Sequence, residues 1–104
     1  MSTTDNPSVR VPRRLADLWL RKEGAENAVI DPASGNLHIL NETAVALWEL
    51  CDGRTLPREM VDAICQLFDA PRAQVEIDVE RTLADFERRR LIEWTGVTQV
   101  TRPE

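Results

Sequence analysis

The residues able to do chemistry in this chain are few and scattered. It has one histidine, His38, and two cysteines, Cys51 and Cys65. His38 sits inside the apolar run Leu37-His38-Ile39-Leu40, where a lone histidine ordinarily packs on a sheet instead of moving protons or binding a metal. The two cysteines are not in a C-x-x-C arrangement, and each falls on the apolar side of a helical pattern. That suits small core residues in a reducing compartment, so a cytoplasmic location is expected. Only four glycines are present and none cluster, which excludes a glycine-rich phosphate loop. Asn41-Glu42-Thr43 matches a glycosylation sequon. With no signal-peptide h-region after Met1, it reads as a helix cap. Glu76, Asp78, Glu80, Asp85 and Glu87 are interspersed with arginines, the pattern of a solvated helix face. No catalytic constellation and no metal-ligand set emerge, so the chain is expected not to be an enzyme and to carry no cofactor or metal.

The elements that would position these residues centre on Leu37 to Gly53. Leu37–Leu40 suits a strand, and Asn41 offers a side-chain oxygen to cap a helix directly after it. Ala44, Leu47, Trp48 and Cys51 recur at i, i+3, i+4 and i+7, one face of a helix from Glu42 to about Cys51. Asp52-Gly53 ends it, since glycine adopts the left-handed conformation common after helices. Upstream, Leu18–Leu20 and Ala28–Ile30 are strand candidates, separated by a turn at Glu23-Gly24. Asp31 to Asn36 is dense in turn formers. The three strands should form an antiparallel meander with one face against the helices and an open edge.

Downstream, Thr55 is placed to cap a second helix, with Pro57 in its first turn and Val61, Ile64, Cys65 and Phe68 as its core face. A third helix is expected from about Pro71 to Arg90, with Val75, Val79, Leu83 and Phe86 as its apolar stripe. Leu91 to Trp94 then reads as a short strand or wing. The expected fold class is α+β, a winged helix-turn-helix-like layout of a three-stranded antiparallel sheet followed by three helices. Residues 1–14 read as a disordered N-terminal arm, 15–94 as the domain and 95–104 as a fraying tail.

At 104 residues and a formal charge of −5, the chain is one small acidic domain. Residues 1–22 hold five basic and two acidic side chains, net +3, leaving −8 for the rest. No apolar run is long enough to span a bilayer as a helix, and no membrane partner is expected. One anomaly stands out on the third helix. Ile77 lies roughly opposite the core stripe, on a face that continues through Arg81, Ala84, Asp85 and Arg88. Beside an open strand edge, such a face would be one wall of a groove able to accept an added strand.

Leu40 to Ala44 (L-N-x-T-A), Trp48, Cys51-Asp52-Gly53, the Asp78-Val79…Leu83 pattern and the closing Leu91-Ile92 together resemble the PqqD family of RiPP recognition elements. The resemblance spans about residues 15–94. The family commonly has glycine before the closing pair, where this chain has Arg90. The resemblance implies a winged helix-turn-helix-like domain that binds peptide instead of DNA. It would hold the leader of a ribosomally made precursor peptide against the third strand, with the third helix beneath, and present it to a modifying enzyme, often a radical SAM protein. The implied peptide-binding residues are Leu37, His38, Ile39, Leu40, Ile77, Asp78, Arg81, Thr82, Asp85 and Arg88.

The main alternative is a winged-helix DNA-binding regulator, and a structural subunit is a third reading. Residues 71–90 carry five arginines against five acids. A neutral reading helix on an acidic body argues against phosphate binding, so no nucleic-acid partner is expected. The exposed edge strand would also allow a homodimer.

Overall fold

A computed structural model of the chain describes residues 9–24 and 26–97. Its elements in chain order are β1 (Val9–Arg14), β2 (Trp19–Glu23), β3 (Glu26–Asp31), β4 (Asn36–Leu40), α1 (Glu42–Leu50), α2 (Pro57–Phe68), α3 (Arg72–Arg88) and β5 (Ile92–Val97). The strands form two antiparallel sheets, a β2-β3-β4 meander and a β1-β5 ribbon. Among the described residues no helix is long and apolar enough to cross a membrane.

The meander owes its form to its turns. Asp31 accepts hydrogen bonds from the Ala33 N–H and the Ser34 hydroxyl, both at 3.0 Å. Gly35, at φ +80°, donates to the Asp31 carbonyl. These contacts set a register in which Ile30 faces Leu37 and Ala28 faces Ile39. Side chains alternate between faces, so Leu20, Val29, His38 and Leu40 point towards the helices. Val29 and Leu40 are buried there, and His38 is half-buried.

Asn41 caps α1 as expected, its side-chain oxygen accepting from the Ala44 N–H at 2.8 Å. Leu47, Trp48 and Cys51 are buried, and Val45 is more deeply buried than Ala44. α3 buries all four residues of its apolar stripe. α2 departs from expectation at both ends. Its N-cap is Leu56, whose N–H donates to the Glu59 carboxylate at 2.8 Å. Thr55 instead donates to Asp52 from its N–H at 2.9 Å and its hydroxyl at 3.0 Å. At the other end Phe68 is 37% exposed. Its spacing is right for the core face, but the last turn of α2 runs past the core.

The N-terminal region is the larger correction. Residues 9–14 of the expected disordered arm form β1, paired with β5 from Val9↔Val97 to Arg14↔Ile92. The expected wing is therefore half of a two-stranded ribbon, and Thr95 to Val97 belong to it instead of to a tail. Residues 1–8 and 98–104 lie outside the described residues. Val11 and Pro12 are fully buried. The Gly53 N–H donates to the Pro12 carbonyl at 2.9 Å, and the Arg14 N–H to the Cys51 carbonyl at 2.9 Å. Gly53 has φ +80°, and a side chain there would meet the Arg13 side chain at about 3.5 Å, so the stop of α1 is also a docking point for β1. The Arg14 guanidinium donates to the Trp48 and Glu49 carbonyls at 3.2 and 2.6 Å and lies 5.5 Å from the Trp48 ring centroid. α1 has no basic residue in its last turn, so β1 supplies the cation that its C-terminus favours.

Candidate leader-peptide groove

β4 is the last strand of the meander and is paired on one side only. A β-strand in that position exposes a row of unpaired backbone N–H and C=O groups. α3 runs along this edge, and between them lies a groove of about 420 Å3. Ile39, Leu40 and Asn41 form one wall, Ala44 and Phe86 the floor, and Arg81, Thr82, Ala84, Asp85, Arg88 and Arg89 the other wall. The strand comes to lie there because the Asn41 cap turns the chain directly from β4 into α1. α1 and α3 then pack on each other through their buried faces.

Six of the ten residues implied by the sequence meet in this groove: Ile39, Leu40, Arg81, Thr82, Asp85 and Arg88. The other four do not line it. Leu37 shares the outward face with Ile39 but lies two residues further along β4, away from the groove, and His38 turns towards the core beside Val29. Asp78 accepts a hydrogen bond from the Gln74 side chain at 3.0 Å, further along α3. Ile77 is 48% exposed, as its position opposite the core stripe predicts, but stands one turn beyond Arg81. Asn41, Ala44, Phe86 and Arg89 line the groove without having been implied by the sequence. Only the Asn41 to Ala44 part had a signal, since a cap and a small residue beside an edge strand leave room for another chain.

The groove is electrostatically mixed. Asp85 holds ion pairs with both Arg88 and Arg89, the second at 3.0 Å. Arg81 has no ion-pair partner among the described residues and is the cation most available to a bound acidic group. Among the described residues no group of three His, Cys, Asp or Glu side chains is placed to hold a metal ion. Cys51 is a poor nucleophile, because burial pushes its thiol up to about 12.

A larger hollow of about 640 Å3 lies on the other side of α3, over Val61, Val79 and Leu83. Its rim is already engaged. Arg72 pairs with Asp62 at 2.7 Å and Glu76 at 3.5 Å, and Arg10 lies 5.6 Å from the Trp94 ring centroid. The smaller groove is the better candidate, because it sets the free edge of β4 against a facing helix.

The model of the family described as coenzyme PQQ synthesis protein D (PqqD) matches residues 26–92, from the start of β3 to the start of β5. The chain belongs to the PqqD family. Among curated proteins none matches it. Its fold is also that of solved structures. The PqqD portion of Methylobacterium extorquens PqqCD, described as a functional and stand-alone RiPP recognition element, is 28% identical. It matches with a TM-score of 0.67 over 80% of this chain and 88% of that one. TbiB1, solved in complex with the TbiA(beta) leader peptide, is 23% identical with a TM-score of 0.67, over 78% of this chain and 94% of that one. A lasso peptide synthetase B1 complexed with its leader peptide is 15% identical with a TM-score of 0.69, over 79% and 96%. At those identities the last two establish the fold alone. The PqqD match brackets the β4–α1 junction and all of α3, the two walls of the groove. It also accounts for Arg90, at the position where glycine is common in the family. Arg90 has φ +62°, a conformation glycine adopts without strain.

Proposed function

We propose that this protein is a peptide-binding adaptor without catalytic activity of its own. It captures the leader segment of a ribosomally synthesised precursor peptide as a strand added to β4, and presents it to a modifying enzyme of the kind radical SAM proteins exemplify. The observation that carries this reading is the unpaired β4 edge facing the outer side of α3 across an open groove. Backbone hydrogen bonds to β4 provide affinity that tolerates sequence, while Ala44, Thr82 and Arg81 select side chains on the α3 side. Two of the solved structures of this fold hold leader peptides, and the PqqD portion at 28% identity is a RiPP recognition element.

A nucleic-acid role has less support. Arg72, Arg88 and Arg89 of α3 and its C-cap are held by Asp62, Glu76 and Asp85, so few cations are free to replace counterions on phosphate.

The test is titration of a fluorescently labelled precursor leader peptide, with amide exchange followed by NMR. Binding protects the β4 amides that point away from β3. Thr82→Trp, which fills the groove, and Arg81→Glu each lower affinity at least tenfold, about 1.4 kcal/mol. The Arg81→Glu loss shrinks with added salt. Ile77→Glu, outside the lining, costs less. Unchanged affinity in all three folded variants, or no protection in β4, overturns the proposal.

A further inference from the structure

The outward face of the meander, away from the helices, is unexpectedly apolar. Strand alternation and register put Trp19, Ile30 and Leu37 in one row across it and Arg21, Ala28 and Ile39 in the next. Glu23 and Glu26 close one end. Trp19 is 63% exposed, Leu37 54% and Ile39 53%. A shallow hollow of about 200 Å3 lies over Ala28, bounded by Arg21, Glu23, Glu26, Leu37 and Ile39. A tryptophan, a leucine and an isoleucine exposed together on one small sheet face mark an interaction surface.

Charge, size and continuity define the occupant. A second copy fits poorly. A two-fold axis along the strands would stack the Glu23–Glu26 row on its own copy, and one across them would press those carboxylates onto Trp19, Ile30 and Leu37. Three strands of five or six residues also offer a footprint of only about 14 by 17–20 Å, well below the roughly 800 Å2 per partner of a stable interface. A partner seated here must therefore touch more than this face. Ile39 lines both the outward hollow and the leader groove, so the face continues round the β4 edge. A strand added to β4 would place alternate side chains on α3 and on this outward face, enlarging it.

We infer that the outward face of β2-β3-β4 is the docking surface for the modifying enzyme, which reads a composite sheet of adaptor and leader. This rests on the leader-binding reading. The enzyme surface it fits has an apolar ridge over Trp19, Ile30 and Leu37 and a basic group opposite Glu23 and Glu26. The leader's alternate side chains complete the contact, so the enzyme binds the loaded adaptor more tightly than the empty one.

The experiment titrates the purified maturase, the modifying enzyme that processes the bound precursor, against full-length wild type, Trp19→Glu, Trp19→Ser and Glu26→Lys, each with and without saturating precursor peptide. Sedimentation velocity on the adaptor alone accompanies it. Trp19→Glu lowers maturase affinity at least tenfold, Trp19→Ser and Glu26→Lys at least threefold, and the precursor tightens wild-type binding at least threefold. All variants keep wild-type affinity for the precursor peptide, read separately by fluorescence. Folded Trp19→Glu with unchanged maturase affinity overturns the docking surface while leaving the leader groove intact. Failure of wild type to bind the precursor refutes the groove instead. A concentration-dependent dimer that Trp19→Glu dissociates assigns the face to a second copy and overturns the inference.

Discussion

The two sheets of this protein are built from similar short strands and end up in opposite states. The β1-β5 ribbon is closed in on its buried side. Val11 and Pro12 are buried, the Arg14 side chain grips the end of α1, and the Trp48 indole N–H donates to the Leu91 carbonyl at 3.3 Å. The β2-β3-β4 meander is tied down on one face only, by Val29 and Leu40 in the core and by a Lys22–Glu49 ion pair at 3.6 Å. Its other face and the β4 edge are open. The lesson is a division of labour. The ribbon fixes the helices relative to one another, so the meander can hold an unpaired edge at a constant distance from α3.

The sharpest attempt to break that contrast is a pair of truncations on the sealed side. Trp48→Ala removes a buried aromatic and its hydrogen bond. It should cost about 3–5 kcal/mol in chemical denaturation, a large share of a small domain's stability. Arg14→Ala tests the seal itself. Loss of two charge-assisted bonds at a helix C-terminus, with the Trp48 stacking, should cost about 1–2 kcal/mol. An unchanged midpoint would mean that β1 is held by its backbone bonds to Cys51 and Gly53, its buried Val11 and Pro12 and its pairing with β5, without help from the Arg14 side chain.

Smaller effects refine the picture. Arg90→Gly relieves a left-handed arginine at the turn into β5, and the gain exceeds glycine's extra unfolded-state entropy. A stabilisation of about 0.5–1 kcal/mol in thermal unfolding is expected. Asp52, next to the ribbon, supplies a pH test. Burial alone would raise its carboxyl. Hydrogen bonds from the Arg54 N–H and from the Thr55 hydroxyl and N–H outweigh it and hold the group below its ordinary value. A carboxyl depressed in the folded state stabilises above its unfolded value and loses that contribution as pH falls through the folded one. The Tm gap between wild type and Asp52→Ala should therefore narrow on acidification below the ordinary carboxylate range. Least of all, Trp19→Ser on the open face should shift stability by no more than about 0.5 kcal/mol. A large loss there would show the outward face to be part of the fold.

Much of this was readable from local pattern. The meander, the Asn41 cap, the Gly53 stop and the α3 stripe each depend on residues within a turn or a hairpin of one another, where sterics and spacing decide the outcome. The solvent position of Ile77 came from the same periodicity. What periodicity could not tell was whether a partner would reach a given face. Phe68 has core spacing yet lies past the core, and Leu37 and His38 share a strand with Ile39 and Leu40 but sit further along it, away from the part of β4 that faces α3.

β1 is the clearest case of a decision made by the tertiary structure. Val9-Arg10-Val11-Pro12-Arg13-Arg14 has too few apolar residues to announce a strand, and its ladder partner, β5, lies at the far end of the domain. Its burial depends on the Cys51–Gly53 corner and on the carbonyls ending α1, groups positioned only once α1 has formed and closed at Gly53. The sequence by itself determined β2 to β4, the three helices and the family motif at the β4–α1 junction, because those are short-range. The tertiary structure decided which of the meander's two free edges faces α3 across a groove, since that depends on how α1 and α3 pack beside β4.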